Sequence, residues 1–207
     1  MTLLFHALSR LTNRSEMSTA LAMAFVVLAL ARPSLSAPVD PLKTYANAEY
    51  AYRLSYPAPW HISVVAGKGG PTLYNYDLAS APGHGLLPEH GAEIFVLPHG
   101  DLSKIEHSRT AREWATADVR RFSQGNLAIK ELKNVSNPEV TDVWRVSYDS
   151  RMSGDDGVQR QVAYYFLLGG ELLKVELTFW KGDPKAESYE HTLLSIFKSI
   201  RVAATPN

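Results

Sequence analysis

The chain has no cysteine. That excludes disulfides, thiolate metal sites, a cysteine nucleophile and a lipid-modified cysteine together. An excess of either charge is missing too, since 21 basic residues balance 21 acidic ones over 207 positions. No broad basic field is available to draw nucleic acid, so nucleic acid is not an expected partner. The sequence contains no G-x-S-x-G, no G-x-G-x-x-G and no phosphate-binding loop. Serine-hydrolase, dinucleotide and P-loop chemistry therefore find no motif to stand on. Its longest apolar run, Ala20 to Ala31, falls short of the ~20 residues that a membrane-spanning helix needs.

What remains is ordinary globular composition, 45% hydrophobic and 20% charged, enough for a chain of this size to build a core without disulfides. The first segment reads as targeting rather than structure. Arg10 and Arg14 precede the apolar run, and Ser34, Ser36 and Ala37 follow it. A basic start, a short apolar stretch and a small-residue cleavage site make a secretory signal peptide over residues 1–37. An uncleaved anchor is the other reading of the same run. Removal of 1–37 takes away three arginines and Glu16, leaving 18 basic against 20 acidic residues. The expected place of action is then periplasmic or secreted.

Residues 38–47, with Pro38, Pro41 and little periodicity, read as a linker. Residues 48–202 read as a single domain and 203–207 as a tail. The organising stretch is Val162 to Trp180, two strands joined by Gly169-Gly170, a pair able to take the positive φ of a two-residue turn. Beyond the turn Leu173, Val175, Leu177 and Phe179 alternate with Leu172, Lys174, Glu176 and Thr178. That period of two predicts a strand with one buried and one wetter face.

Other strands are expected from Tyr50 to Tyr56, at Trp60–Val64, Thr72–Tyr76, Glu93–Leu97, Leu127–Lys133 and Thr141–Tyr148. Pro57 and Pro59 turn the first corner. A helix is expected over about Thr110–Phe122. Thr110 and Glu113 form its capping box, Ala111, Trp114, Ala115, Val119 and Phe122 its apolar stripe, and Gly125-Asn126 its stop. A last helix is expected behind Asp183 and Pro184, with Tyr189, Leu193, Ile196, Phe197 and Ile200 facing the sheet. The fold class is therefore α+β, an antiparallel sheet flanked by helices.

The run Tyr50-Ala51-Tyr52-Arg53-Leu54-Ser55-Tyr56-Pro57, with Trp60 after it, resembles the start of PsbP-like and Mog1-like domains. The ending is similar to theirs as well, a hairpin followed by a helix with Leu193-Leu194-Ser195-Ile196 and Lys198-Ser199-Ile200. The resemblance spans about residues 44–202. It implies an α/β/α sandwich about a central antiparallel sheet, and it implies no catalytic, metal-binding or partner-binding residue.

His84, His90, Glu93 and His99 gather ligand-type side chains in and beside the Gly/Pro-rich loop 77–92, but their spacing matches no zinc signature. Solvated loop histidines are the plainer reading. Asp149, Asp155 and Asp156 flank a turn and lack the spacing of a calcium loop. Tyr74 and Tyr76, beside the loop, are the tyrosines expected to offer a contact surface, whereas most others belong in or near a core. Asn134-Val135-Ser136 is a glycosylation sequon. No cofactor is called for. The expected function is a non-enzymatic exported module that binds or helps assemble another envelope protein. The alternative is metal or small-ligand binding at the histidine-bearing stretch 77–99.

Overall fold

Gly169 and Gly170 both adopt positive φ, at 58° and 92°, and close a tight hairpin between β8 (Gln159–Leu168) and β9 (Glu171–Trp180). In the computed structural model, which describes residues 41–64, 69–80, 87–101, 108–151 and 157–203, this ribbon sits in the middle of a seven-stranded sheet. The strand order is β3-β4-β5-β9-β8-β7-β6, with β3 at His61–Val64, β4 at Pro71–Tyr74, β5 at Ala92–Pro98, β6 at Gly125–Glu131 and β7 at Val140–Ser150. Every pairing in it is antiparallel. All the described residues belong to one unit, Asp40–Asn207. The signal-peptide reading of 1–37 lies outside them.

A second, three-stranded sheet joins β1 (Leu42–Asn47), β2 (Tyr52–Pro57) and β10 (Arg201–Val202). Here the sequence expectation is corrected, because residues 42–47 of the expected linker form a strand paired with β2 from Leu42↔Pro57 to Asn47↔Tyr52. The strand carries no periodic signal in the sequence because only Tyr45 and Asn47 leave the surface, so it shows no apolar alternation. Asn47 ties it down, its side-chain amide donating to Gly69 O at 2.8 Å.

The two α-helices among the described residues pack into separate clusters on opposite faces of the large sheet. Helix α1 (Ala111–Phe122) starts as expected, with Thr110 Oγ1 accepting the Glu113 N–H at 3.1 Å and the Glu113 carboxylate accepting the Arg109 N–H at 2.7 Å. Its Ala111, Trp114, Ala115 and Val119 bury against Val146, Tyr148, Ala163, Tyr165 and Leu172. Two details differ from expectation. Phe122 ends the stripe 43% exposed, and Gly125-Asn126 begins β6 rather than stopping the helix, with Asn126 at φ +47° beside a register shift.

Helix α2 (Ala186–Ser199) lies on the other face. Tyr189, Leu193, Ile196 and Phe197 meet Val162, Tyr164, Phe166 and the alternate residues Leu173 to Phe179, together with Tyr52, Leu54 and Tyr56 of β2. The helix begins two residues after Pro184, the expected first position, and Asp183 closes the preceding turn by accepting the Lys185 N–H at 2.7 Å. Buried Asn137 secures the far end, its amide donating to Phe197 O at 3.0 Å and Ile200 O at 2.8 Å.

Candidate functional site

The wetter face expected for β9 is not wet. Leu172 and Lys174 are buried beneath α1, Glu176 beside Lys174 is largely buried, and Thr178 is buried against Gln161 of β8. The physical reason is that α1 brings its own charge onto the apolar stripe. Asp118 follows Trp114 by four residues, so both point at the sheet. Lys174 Nζ donates to Asp118 Oδ2 at 2.7 Å and pairs with Glu176 Oε2 at 2.7 Å, with the Lys174 and Asp118 side chains 7% and 5% exposed. Tyr165, directly opposite Lys174 in the ladder, donates its hydroxyl to the same Asp118 oxygen at 2.8 Å. The ammonium also lies 5.6 Å from the Trp114 and Tyr165 ring centres, the range of cation–π attraction.

This is the densest ionisable cluster among the described residues, and its electrostatics are settled internally. Burial acts to discharge Lys174, but Glu176 and Asp118 outweigh it and hold the amine more firmly protonated than a free lysine. Burial, Glu176 and Asp118 push Tyr165 and Tyr148 far above the ordinary tyrosine range. Held as an ammonium, Lys174 has no lone pair with which to attack or take up a proton, and its charge is matched by the Asp118 and Glu176 carboxylates beside it. Sequence reasoning missed the cluster, although an acid on an apolar helical stripe and a lysine in a core strand were both visible.

The histidine-bearing stretch resolves into separate environments. His90, at φ +57°, places Nδ1 3.3 Å from Asp183 Oδ2, and its backbone carbonyl accepts the Tyr189 hydroxyl at 2.6 Å. Glu93 accepts the Tyr76 hydroxyl. His99 lies beyond the far end of β5 with its ring edge-on to Trp114, 4.9 Å between centres. These residues have different partners, and no group of three or more metal-ligand side chains occurs among the described residues. His84 lies outside the described residues, as do Asp155 and Asp156.

Tyr74 is buried at 8% exposure, stacked on His61 at 5.5 Å and tilted against Tyr76 at 5.6 Å. Burial first, and then the Glu93 hydrogen bond and charge, raise the Tyr76 phenol.

Asp149 occupies a cleft of about 420 Å³ with Asn126, Arg160, Phe179, Lys181 and Glu190 along its walls. Burial alone would raise this carboxyl. Hydrogen bonds from Lys181, Arg160 and Asn126, and the Arg160 charge, prevail and bring it down to about 2. Arg160 reaches it at 2.8 Å and Lys181 at 2.9 Å. The group works as a three-donor clamp joining β6, β7, β8 and the end of β9.

The chain is thus an antiparallel α+β protein whose densest charged cluster is closed under a helix. No family model matches it, and no curated protein matches it. Solved structures do show likeness. LpqN, described as involved in cell envelope biogenesis of Mycobacterium tuberculosis, is 9% identical with a TM-score of 0.48, over 80% of this chain and 87% of that one. The cyanobacterial PsbP of Synechocystis is 16% identical with a TM-score of 0.41, over 83% and 98%. A Bacteroides thetaiotaomicron structure is 8% identical with a TM-score of 0.44 over 78% of this chain, which spans about half, 48%, of its length. Likenesses this distant carry neither family nor activity to this chain.

Proposed function

We propose that the protein is an exported, non-catalytic binding module on an α/β/α sandwich of the PsbP/Mog1 kind, acting on another protein of the cell envelope. The observation that carries this reading is the closed Lys174–Asp118–Glu176 cluster. The residues best suited to acid–base or nucleophilic work are spent on holding α1 to the sheet, with the lysine held charged. Export is supported by the basic, apolar and small-residue order of residues 1–37.

Two measurements test the reading. N-terminal sequencing of the exported protein is expected to find a start near Ala37 or Pro38, and an intact N-terminus in the membrane fraction would reject export. Purified full chain is expected to turn over no substrate in broad hydrolase and transferase screens. Turnover abolished by a single polar substitution that leaves the fold intact would end the binding-module reading.

A further inference from the structure

We propose that the outer edge of β6 receives an extended, acidic segment of another protein, which joins the large sheet as an added strand. This rests on the binding-module reading and gives it a surface and a partner chemistry. Strand β6 terminates the seven-strand order, and all seven of its residues are exposed. The Leu132 N–H donates inward to Val143 O at 2.9 Å. By the alternation of a strand, the N–H groups of Ile129 and Glu131 then point away from the sheet. An incoming strand would take its main-chain hydrogen bonds from these groups.

The edge also carries an apolar ledge. Ile129 stands opposite Val146, which belongs to the cluster under α1, so its side chain lies on the α1 side of the sheet. It is 38% exposed, and Leu127 and Phe122 toward the start of the strand are 50% and 43% exposed. Alternate apolar side chains of an added strand would settle on that side.

Charge decides the occupant. Between residues 109 and 133 the exposed cations are Arg109, Arg112, Arg120, Arg121, Lys130 and Lys133, against the exposed carboxylates Glu113 and Glu131. Glu113 is already engaged in the helix cap. Arg112 lies 5.3 Å over the Trp144 ring, and Trp144 stands opposite Glu131, so this cation sits near the end of the strand. The Asp142 carboxylate there is taken up by the Trp144 and Ala111 N–H groups. Arg120 and Arg121 close α1 a few residues before the strand begins. A second copy pairing edge to edge would bring these cations together, and the Lys130 charge and the bulge between Gly125 and Ala128 are devices that discourage such pairing. An acidic segment meets opposite charge instead. The sheet's other edge, β3, is four residues long and only partly exposed.

The test uses the full chain and two fluorescein-labelled octapeptides, one alternating glutamate with valine and one alternating lysine with valine. The glutamate peptide is expected to bind at least about tenfold more tightly by anisotropy, a difference of ~1.4 kcal/mol, and to weaken as salt rises. Hydrogen exchange is expected to slow at residues 127–132 when it binds. The exposed pair of substitutions Arg120→Glu and Arg121→Glu is expected to weaken it about tenfold with the melting temperature retained. Ile129→Pro removes an outward N–H while leaving the β7 ladder intact, and is expected to abolish binding. Equal binding of both peptides, binding of neither, protection at another surface, or dimerisation through β6 would each overturn the proposal. The binding-module reading would survive all four, because it falls only to catalytic turnover.

Discussion

Replacing Lys174 by Met should be among the most damaging single changes in the fold, for an electrostatic reason. Methionine fills much of the same volume, so the loss is not chiefly one of packing. It leaves Asp118 and Glu176 facing each other under α1 without the ammonium that each approaches at 2.7 Å. Removing one partner of a buried ion pair costs about 3–5 kcal/mol, because the stranded charge has lost its water and gained nothing. That is a large share of the ~5–15 kcal/mol that holds a domain folded. With a urea slope of ~2 kcal/mol per molar, the midpoint should fall by about 1.5–2.5 M.

Trp114, fully buried beside Tyr165, provides a fluorescence signal from inside the cluster. The control is the triple change Asp118→Asn, Lys174→Met, Glu176→Gln, which removes every charge and should lie well above the single variant in stability. A Lys174→Met midpoint within ~0.5 M of wild type would refute the reasoning, since it would mean that water reaches these charges in the native state.

Other outcomes follow from single contacts. Thr110→Ala removes the side-chain oxygen that accepts the Glu113 N–H and should cost about 1 kcal/mol, read as a lower melting temperature. Asp149→Asn should be destabilising at neutral pH, because the carboxyl is held at about 2, below its usual 3.8. A depressed carboxyl stabilises the fold above the unfolded value and loses that contribution as pH falls through the folded one. The variant and the wild type should therefore converge between about pH 4 and pH 2 in urea titrations. Gly70→Ala would drive its new methyl into the backbone carbonyl of Val96, and soluble yield should collapse. Gly169→Asn, at φ +58° in the two-residue turn, should leave the melting temperature nearly unchanged, since asparagine suits that position.

The parts of the fold that sequence made legible are those where local chemistry and tertiary packing agree. The Gly169-Gly170 turn, the Thr110 cap and the even spacing of apolar residues in α2 each state their structure within a few residues. Strand β1 carries no such signal. Its pairing comes from β2, and its side chains mostly face water. The error on β9 is more instructive. Alternation of Lys174 and Glu176 with apolar residues normally marks a solvated face, and a single strand cannot disclose that a helix fifty residues upstream will cover it with a matching acid. The clue lay in two places at once, Asp118 at helical spacing from Trp114 and Lys174 at strand spacing from Leu172. Of the candidate site residues, His90 and Glu93 could be placed in the chain from sequence, but their separation into different hydrogen-bond partners depends on Asp183 and Tyr189, before and within α2, and on Tyr76, just after β4, which no spacing rule records.

A charged cluster in the middle of an otherwise apolar contact also constrains how the layers meet. The apolar residues of α1 would accept several positions on a sheet lined with Val146, Ala163 and Leu172, because dispersion and burial are indifferent to register. Asp118 is not indifferent. Sliding α1 by one turn moves it ~5.4 Å and strands both it and Lys174 in a dry interface. The ion pair therefore penalises the wrong placements more than it rewards the right one, and Tyr165, bonded to the same oxygen, sharpens that penalty. Fixing α1 also fixes the positions of Arg112 at its start and of Arg120 and Arg121 at its end, the cations that flank β6. The buried charges then act on the surface indirectly, by holding rigid the helix whose arginines set the character of the sheet's open edge.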